Sequence, residues 1–329
     1  MEEKIEKELK WAVLGTGIIA NEMAQALEKM GKKLYAVANR THSKAVEFAG
    51  KYGVQKIYDK IEDMFTDEET DIIYITTPHN THIKFMIEAL KNGKHVLCEK
   101  SITLNSEELK EAVEIAKEKN LILGEAMTIF NMPLYTELLE IVNSGKLGDV
   151  KMIQVNFGSY KEYDMSNRFF NRNLAGGALL DIGVYAISIT RLFMLSKPDN
   201  VLSQVKYALT GVDEQVGIIM MNKEQQMSTI ALTLHSKQPK RVVIACEKAY
   251  IEITEYPRAD KAKIVYTETG EVEEIAAGMT ANALQYELQN MEESVRTGIN
   301  KMKLEYTIDV MDIMTKLRKD WGMTYPEEE

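Results

Sequence analysis

Apolar residues follow two rhythms over the first 125 residues of the chain. Short unbroken runs alternate with longer stretches in which they return every three or four positions. These are the marks of buried strands and amphipathic helices. "KWAVLGTG" predicts a strand ending in glycine, and "IIANEMAQALEKMG" a helix stopped by Gly31. "KLYAVANR" is a second strand, followed by a helix, "SKAVEFAGKYG", opened by Ser43. "DIIYITTP" is a strand broken at Pro78, and "NTHIKFMIEALKNG" the next helix. "HVLCEK", a helix capped by Asn105 or Ser106, and "LILGEAM" complete the series. Such alternation predicts an α/β fold, a doubly wound parallel sheet with helices on both faces.

After "GEAM" the rhythm changes, and a domain boundary is predicted near Gly124. A helix, "MPLYTELLEIVNSG", and a strand, "KMIQVNFGSY", lead into a polar loop and then an apolar helix reaching about Leu195. From Val201 to about Ala277, strands follow one another without helices. The end is helical again, apart from a short acidic tail, "PEEE". This predicts an α+β second domain, residues 125–329, with a large open and mostly antiparallel sheet. An exposed sheet face favours a partner, so a homodimer or homotetramer is expected.

Composition narrows the function classes. The 329 residues carry a formal net charge of −10, which disfavours nucleic acid and anionic membrane as partners. Cys98 and Cys246 sit in apolar runs and read as buried free thiols in a reducing compartment. No Cys/His spacing suggests a metal site. The mixed charge of "MEEKIEKELK" and the lack of a long apolar run make a cytoplasmic protein the expectation.

The first strand–helix turn, "VLGTGIIA", carries Gly15, Gly17 and Ala20 in the G-x-G-x-x-A form of a dinucleotide fingerprint. Gly15 permits the tight turn, Gly17 leaves room for a pyrophosphate, and Ala20 allows close packing. Thr16, Ile18 and Ile19 belong to the same predicted contact. At the end of the second strand, Asn39 stands where an NAD enzyme usually has an acid. Arg40 follows, with Thr41, Ser43 and Lys44 as further donors. A planar guanidinium suits a 2′-phosphate, so NADP(H) is expected over NAD(H), which remains possible. The alternative is an arginine solvated at a strand end.

"AGGALLDIGVY" places Asp181 and Tyr185 four residues apart, one turn of a helix. The two glycines ahead of them would let substrate or cofactor approach closely. Together with "GTGIIA", "TTPHNTH" and "CEKSITLN", this stretch makes the chain resemble the GFO/IDH/MocA oxidoreductases over essentially its whole length. The resemblance implies a Rossmann domain over 1–124 and a substrate-binding and oligomerisation domain over 125–329. It implies hydride transfer between a nicotinamide and a sugar, polyol or related alcohol. The family's lysine falls on Lys100, its preceding acid on Glu99 and its aspartate on Asp181. Ser101 replaces the usual proline. Tyr185, where inositol dehydrogenase-like members have histidine, makes the chain look more like the dimeric dihydrodiol dehydrogenase, glucose–fructose oxidoreductase and anhydrofructose reductase branch.

On this reading Tyr185 gives and takes the proton, Lys100 lowers its pKa, and Asp181 orients Lys100 or accepts a substrate hydroxyl. Thr76, Thr77 and Pro78 are expected against the cofactor, and His82, Glu125 and Met127 beside the nicotinamide. Arg168, in the polar loop, is expected to reach substrate or cofactor. Each has a plainer alternative: a solvated lysine, a structural Lys100–Asp181 pair, a packing tyrosine, a capping histidine. Two rival functions stay open. One is a dinucleotide-binding sensor without catalysis, which has no need of a proton relay. The other is an NAD-linked inositol dehydrogenase-like enzyme, against which Tyr185 and Asn39 argue.

Overall fold

The computed structural model of the chain describes residues 8–329. Its first part runs β1 (Trp11–Leu14), α1 (Ile18–Lys29), β2 (Ala36–Ala38), α2 (His42–Tyr52), β3 (Lys56–Ile57) and α3 (Ile61–Thr66). It continues through β4 (Ile72–Ile75), α4 (His82–Lys91), β5 (His95–Glu99), α5 (Ser106–Glu118) and β6 (Leu123–Ala126). The six strands form one parallel sheet in the order β3-β2-β1-β4-β5-β6, the arrangement of a Rossmann fold. The central strands are buried along their whole length, which is why they read as unbroken apolar runs. Thr41 precedes α2, which opens one residue before Ser43. Asn105 caps α5 by accepting from the Glu108 amide.

The second part contains α6 (Pro133–Asn143), β7 (Val150–Gly158) and α7 (Val184–Phe193). Next come β8 (Asn200–Tyr207), β9 (Asp213–Met221), β10 (Met227–Thr233) and β11 (Gln238–Cys246). The meander closes with β12 (Ala249–Thr254), β13 (Lys261–Tyr266) and β14 (Val272–Ala276), followed by α8 (Ala283–Thr297) and α9 (Leu304–Asp320). The sheet order is β14-β13-β12-β11-β7-β10-β9-β8. All neighbours are antiparallel except β7 and β10, which run parallel. Buried and exposed residues alternate along these strands, leaving one face packed and the other open.

The apolar core is continuous between the halves. One cluster runs from Leu14 and Ile75 of the first sheet through α7 to Ile153 and Ile244 of the second. A second joins Trp11, Val13, Tyr74 and Leu97 to Leu284, Leu288 and Met291 of α8. The closing helices thus return to the first sheet: Trp11 Nε1 donates to Glu292 (3.0 Å) and Asn300 to the Leu123 carbonyl (2.8 Å). The acidic tail packs too. Arg318 pairs with Glu328, which also accepts from Asn105, and the Tyr325 hydroxyl donates to the Gly176 carbonyl. By length and composition Arg172–Phe193 is apolar enough to cross a membrane, but 78% of that window is buried inside the protein; it is a core helix. Cys98 is buried as expected, whereas Cys246 is only half-buried.

Candidate active site

A cavity of about 490 Å³ opens where the C-terminal ends of β1, β4 and β5 face the start of α7. This is the crevice in which doubly wound sheets bind their ligands. Its first wall is the turn between β1 and α1. Gly15 has φ +111°, and a Cβ there would lie 2.4 Å from Thr76 Oγ1, so the close β1–β4 approach needs glycine. A Cβ at Gly17, by contrast, would meet only open space. Ile18 is 83% exposed at the cavity wall, and the first turn of α1 carries no acid. Open space at Gly17, free helix N–H groups and an uncovered apolar side chain fit a dinucleotide.

The opposite wall carries the ionisable groups. Lys100, at the end of β5, donates from Nζ to the Asp181 carbonyl (2.8 Å) and to Asp181 Oδ1 (3.3 Å). Its Nζ lies 4.9 Å from the centre of the Tyr185 ring. Arg168 Nη2 reaches Asp181 Oδ1 at 3.5 Å. Residues 179–183 form a π turn ahead of α7, so Asp181 sits on a wider turn than an α-helix would give, yet it shares the cavity with Tyr185. Burial works to raise the Asp181 pKa, but Lys100 and Arg168 outweigh it and the carboxylate stays below its ordinary value. Burial works to lower Lys100, but Asp181 and Tyr185 hold its ammonium above its ordinary value. The pair is therefore charged at neutral pH.

A support layer lies behind Lys100. His82 is fully buried, its two ring nitrogens 3.0 Å from the Ser101 carbonyl and 2.8 Å from that of Thr77. Glu125 accepts from the Ile102 amide (3.1 Å) and the Thr307 hydroxyl (3.0 Å), and burial pushes its pKa up to about 7. The Tyr74 hydroxyl donates to Glu99 on the cavity wall. His79 Nε2 lies 3.0 Å from the Lys100 carbonyl, and burial, before the neighbouring His82 and Lys100, drives its pKa down.

The comparisons with known proteins agree with this architecture. The family model described as "Oxidoreductase family, NAD-binding Rossmann fold" matches residues 9–127, and that of the "GFO/IDH/MocA C-terminal domain" matches residues 135–252. The chain is a GFO/IDH/MocA oxidoreductase. It is 29% identical over 329 residues to trans-1,2-dihydrobenzene-1,2-diol dehydrogenase of Xenopus laevis, covering 96% of this chain and 99% of that one. In fold it is similar to a 3-ketoreductase from Actinomadura kijaniata in complex with TDP-benzene and NADP. That match has a TM-score of 0.85 and 18% identity, over 95% of this chain and 98% of the other. It is also similar to levoglucosan dehydrogenase in complex with NADH and levoglucosan, with a TM-score of 0.85 and 17% identity, over 96% and 98% of the two chains. Residues 9–127 of this GFO/IDH/MocA protein are accordingly an NAD-binding Rossmann domain.

Several expected positions fall elsewhere. His82, Glu125 and Met127 do not line the cavity; all three are buried behind it. His79 lines it instead, the first histidine of "PHNTH" rather than the second. Asn39, Arg40, Thr41, Ser43 and Lys44 lie where expected, at the end of β2 and the start of α2, and outside this cavity. Arg40 is exposed there. Gly176 lines the cavity, but both glycines also make room for the protein's own atoms. A Cβ at Gly176 would lie 2.7 Å from the Arg168 carbonyl, and one at Gly177 (φ +126°) 2.1 Å from Asp213 Oδ1. Lys100 does not bring Tyr185 below its ordinary pKa: burial raises it, and the lysine offsets that only in part. Where this family usually has proline, Ser101 donates to the Leu180 carbonyl (2.9 Å), tying the β5 loop to the π turn. The Lys100–Ser101 peptide is cis. Phe169 and Leu174 also line the cavity, contributed by a loop whose sequence carries no periodic signal.

Proposed function

We infer that this oxidoreductase uses NADP(H) and acts on the carbonyl or hydroxyl carbon of a sugar, polyol or dihydrodiol-like alcohol. The observation that carries the reading is the meeting of Lys100, Asp181 and Tyr185 in one cavity with the Gly17–Ile18 turn. The dihydrodiol dehydrogenase and sugar-oxidoreductase names of its relatives support the substrate class. Arg40 and the start of α2 support the choice of NADP(H).

When bound, the reduced nicotinamide supplies a hydride to the substrate carbon. Tyr185 Oη gives its proton to the carbonyl oxygen as charge develops there, and recovers it in the reverse direction. Its raised pKa keeps the phenol protonated at neutral pH, the form that reduction requires. The Lys100 ammonium, fixed by the Asp181 carbonyl and carboxylate, stabilises the phenolate left behind. His82 and Glu125 are positioning residues that hold the β5 loop. The same reading gives the outer face of the second sheet to a second copy of the chain.

Nicotinamide fluorescence titrations with NADPH and NADH, followed by turnover on aldoses, ketoses and dicarbonyls, test the proposal. Tyr185→Phe is expected to lower kcat roughly 100-fold or more while leaving NADPH affinity unchanged. A variant with wild-type turnover would remove Tyr185 from the chemistry.

A further inference from the structure

The charges around the substrate end of the cavity do not balance. Lys100 and Arg168 both lean on the single carboxylate of Asp181. Lys161 adds a third cation: its Nζ lies 4.2 Å from the centre of the Phe169 ring, and the Arg168 guanidinium carbon lies 4.1 Å from the same centre. Burial, followed by the nearby cations Arg168, Lys100 and Lys240, outweighs the pull of Asp181 and holds the Lys161 ammonium below its ordinary pKa. Lys240 is neutralised by Glu255. Glu99, the other acid on the wall, already accepts from Tyr74 and from the Lys100 amide. Burial raises its pKa, against the pull of Tyr74 and Lys100.

This cationic excess sits in a chain whose net charge is −10. The pyrophosphate of a dinucleotide does not account for it, because that group belongs at the Gly15–Gly17 turn. Arg168 instead touches Asp181, which lies four residues before Tyr185 and shares the cavity with it. The Arg168 side chain is more than half exposed, so its fork is available from the cavity. The Phe169 ring holds the Arg168 guanidinium in place, whose planar fork can grip a carboxylate or phosphate through two parallel bonds. A neutral polyol would leave Lys100 and Arg168 gathered on one carboxylate with Lys161 nearby, whereas an anion would offset them.

The geometry points to a substrate that carries its own negative charge: a sugar or polyol derivative with a carboxylate or phosphate, gripped by Arg168 while its reacting carbon faces Tyr185, with Lys161 on the Phe169 ring adding to the positive potential. This rests on the oxidoreductase reading above and specifies its substrate class.

Calorimetric titration of D-sorbitol, D-gluconate and sorbitol 6-phosphate, with and without NADPH, tests it. One of the two anions is expected to bind roughly tenfold or more tightly than sorbitol, with the gap narrowing as salt is added. Arg168→Gln and Lys161→Met are expected to close most of that gap, and Arg168→Lys to restore part of it. Gluconate as the tighter ligand assigns a carboxylate, and sorbitol 6-phosphate a phosphate. Equal affinity for all three, no heat from either anion up to millimolar concentration, or a gap that survives Arg168→Gln overturns the proposal. NADPH titrated alone into the same proteins reports on the underlying reading. Its failure to bind would defeat that reading, while the anion comparison is still decided in the dinucleotide-free arm.

Discussion

Asp213 holds the start of the π turn from a distance of 34 residues. Its Oδ2 accepts from the Leu179 amide (2.6 Å), and its Oδ1 crowds the position where any side chain at Gly177 would begin. The residue is fully buried, and burial pushes its pKa up to about 7. A carboxyl whose folded pKa is raised contributes stability that is complete below its unfolded value near 4 and is lost as pH rises through about 7. Asp213→Asn keeps an acceptor for Leu179 and removes the titration. Its melting temperature relative to wild type is expected to rise by roughly 5 °C or more between pH 4 and pH 8. Scanning calorimetry across that range checks this; a constant difference would show that Asp213 does not titrate in the window. Lys100, Asp181 and Tyr185 were legible in the sequence because each sits at a fixed offset inside a short motif. The roles of His79 and His82 were not, because a single 3-10 turn decides which of them faces the cavity. Asp213 was not legible either, since only the folded sheet brings β9 to the start of the π turn.

On the proposed NADP(H) reading, two helix starts would divide the dinucleotide between them. The start of α1 offers amides and open space at Gly17, and the start of α2 offers Thr41, Ser43 and Lys44 beside Arg40. Arg40→Ala is expected to weaken NADPH binding roughly tenfold or more and to leave NADH unchanged. Fluorescence titration with both dinucleotides measures this, and an unchanged NADPH/NADH ratio removes Arg40 from the 2′-phosphate site. Most elements were legible from periodicity, because buried parallel strands and amphipathic helices differ so clearly in rhythm. The exceptions have physical reasons. β3 has 2 residues and α3 has 6, too short to show a period. β14 is an edge strand whose glutamates disguise it, as charges on sheet edges do. The parallel pairing of β7 with β10 joins segments far apart in sequence and leaves no local trace.

On the outer face of the second sheet, register aligns Met221, Met227, Met152, Ala245 and Tyr250 in one row across five strands. Leu202 and Ile219 pair in the adjoining row, and both are exposed. A contiguous apolar stripe of this kind supports the proposal that a second copy of the chain covers this face. Met152→Glu is expected to convert a dimer or tetramer into monomer in sedimentation velocity, with NADPH affinity retained. A wild-type protein that sediments only as monomer would overturn the assignment. At this scale the sequence showed two halves with different rhythms. The return of α8 and α9 to the first sheet was hidden, because amphipathic helices announce that they pack but not on what. That return governs the order of events during synthesis. The ribosome finishes the first sheet at Ala126, yet the helix whose Leu284, Leu288 and Met291 cover Trp11 and Val13 begins only at Ala283. At ordinary elongation speeds the nascent sheet waits on the order of ten seconds with that flank bare. The nascent chain thus carries an apolar surface for chaperones to shield until its last helices emerge.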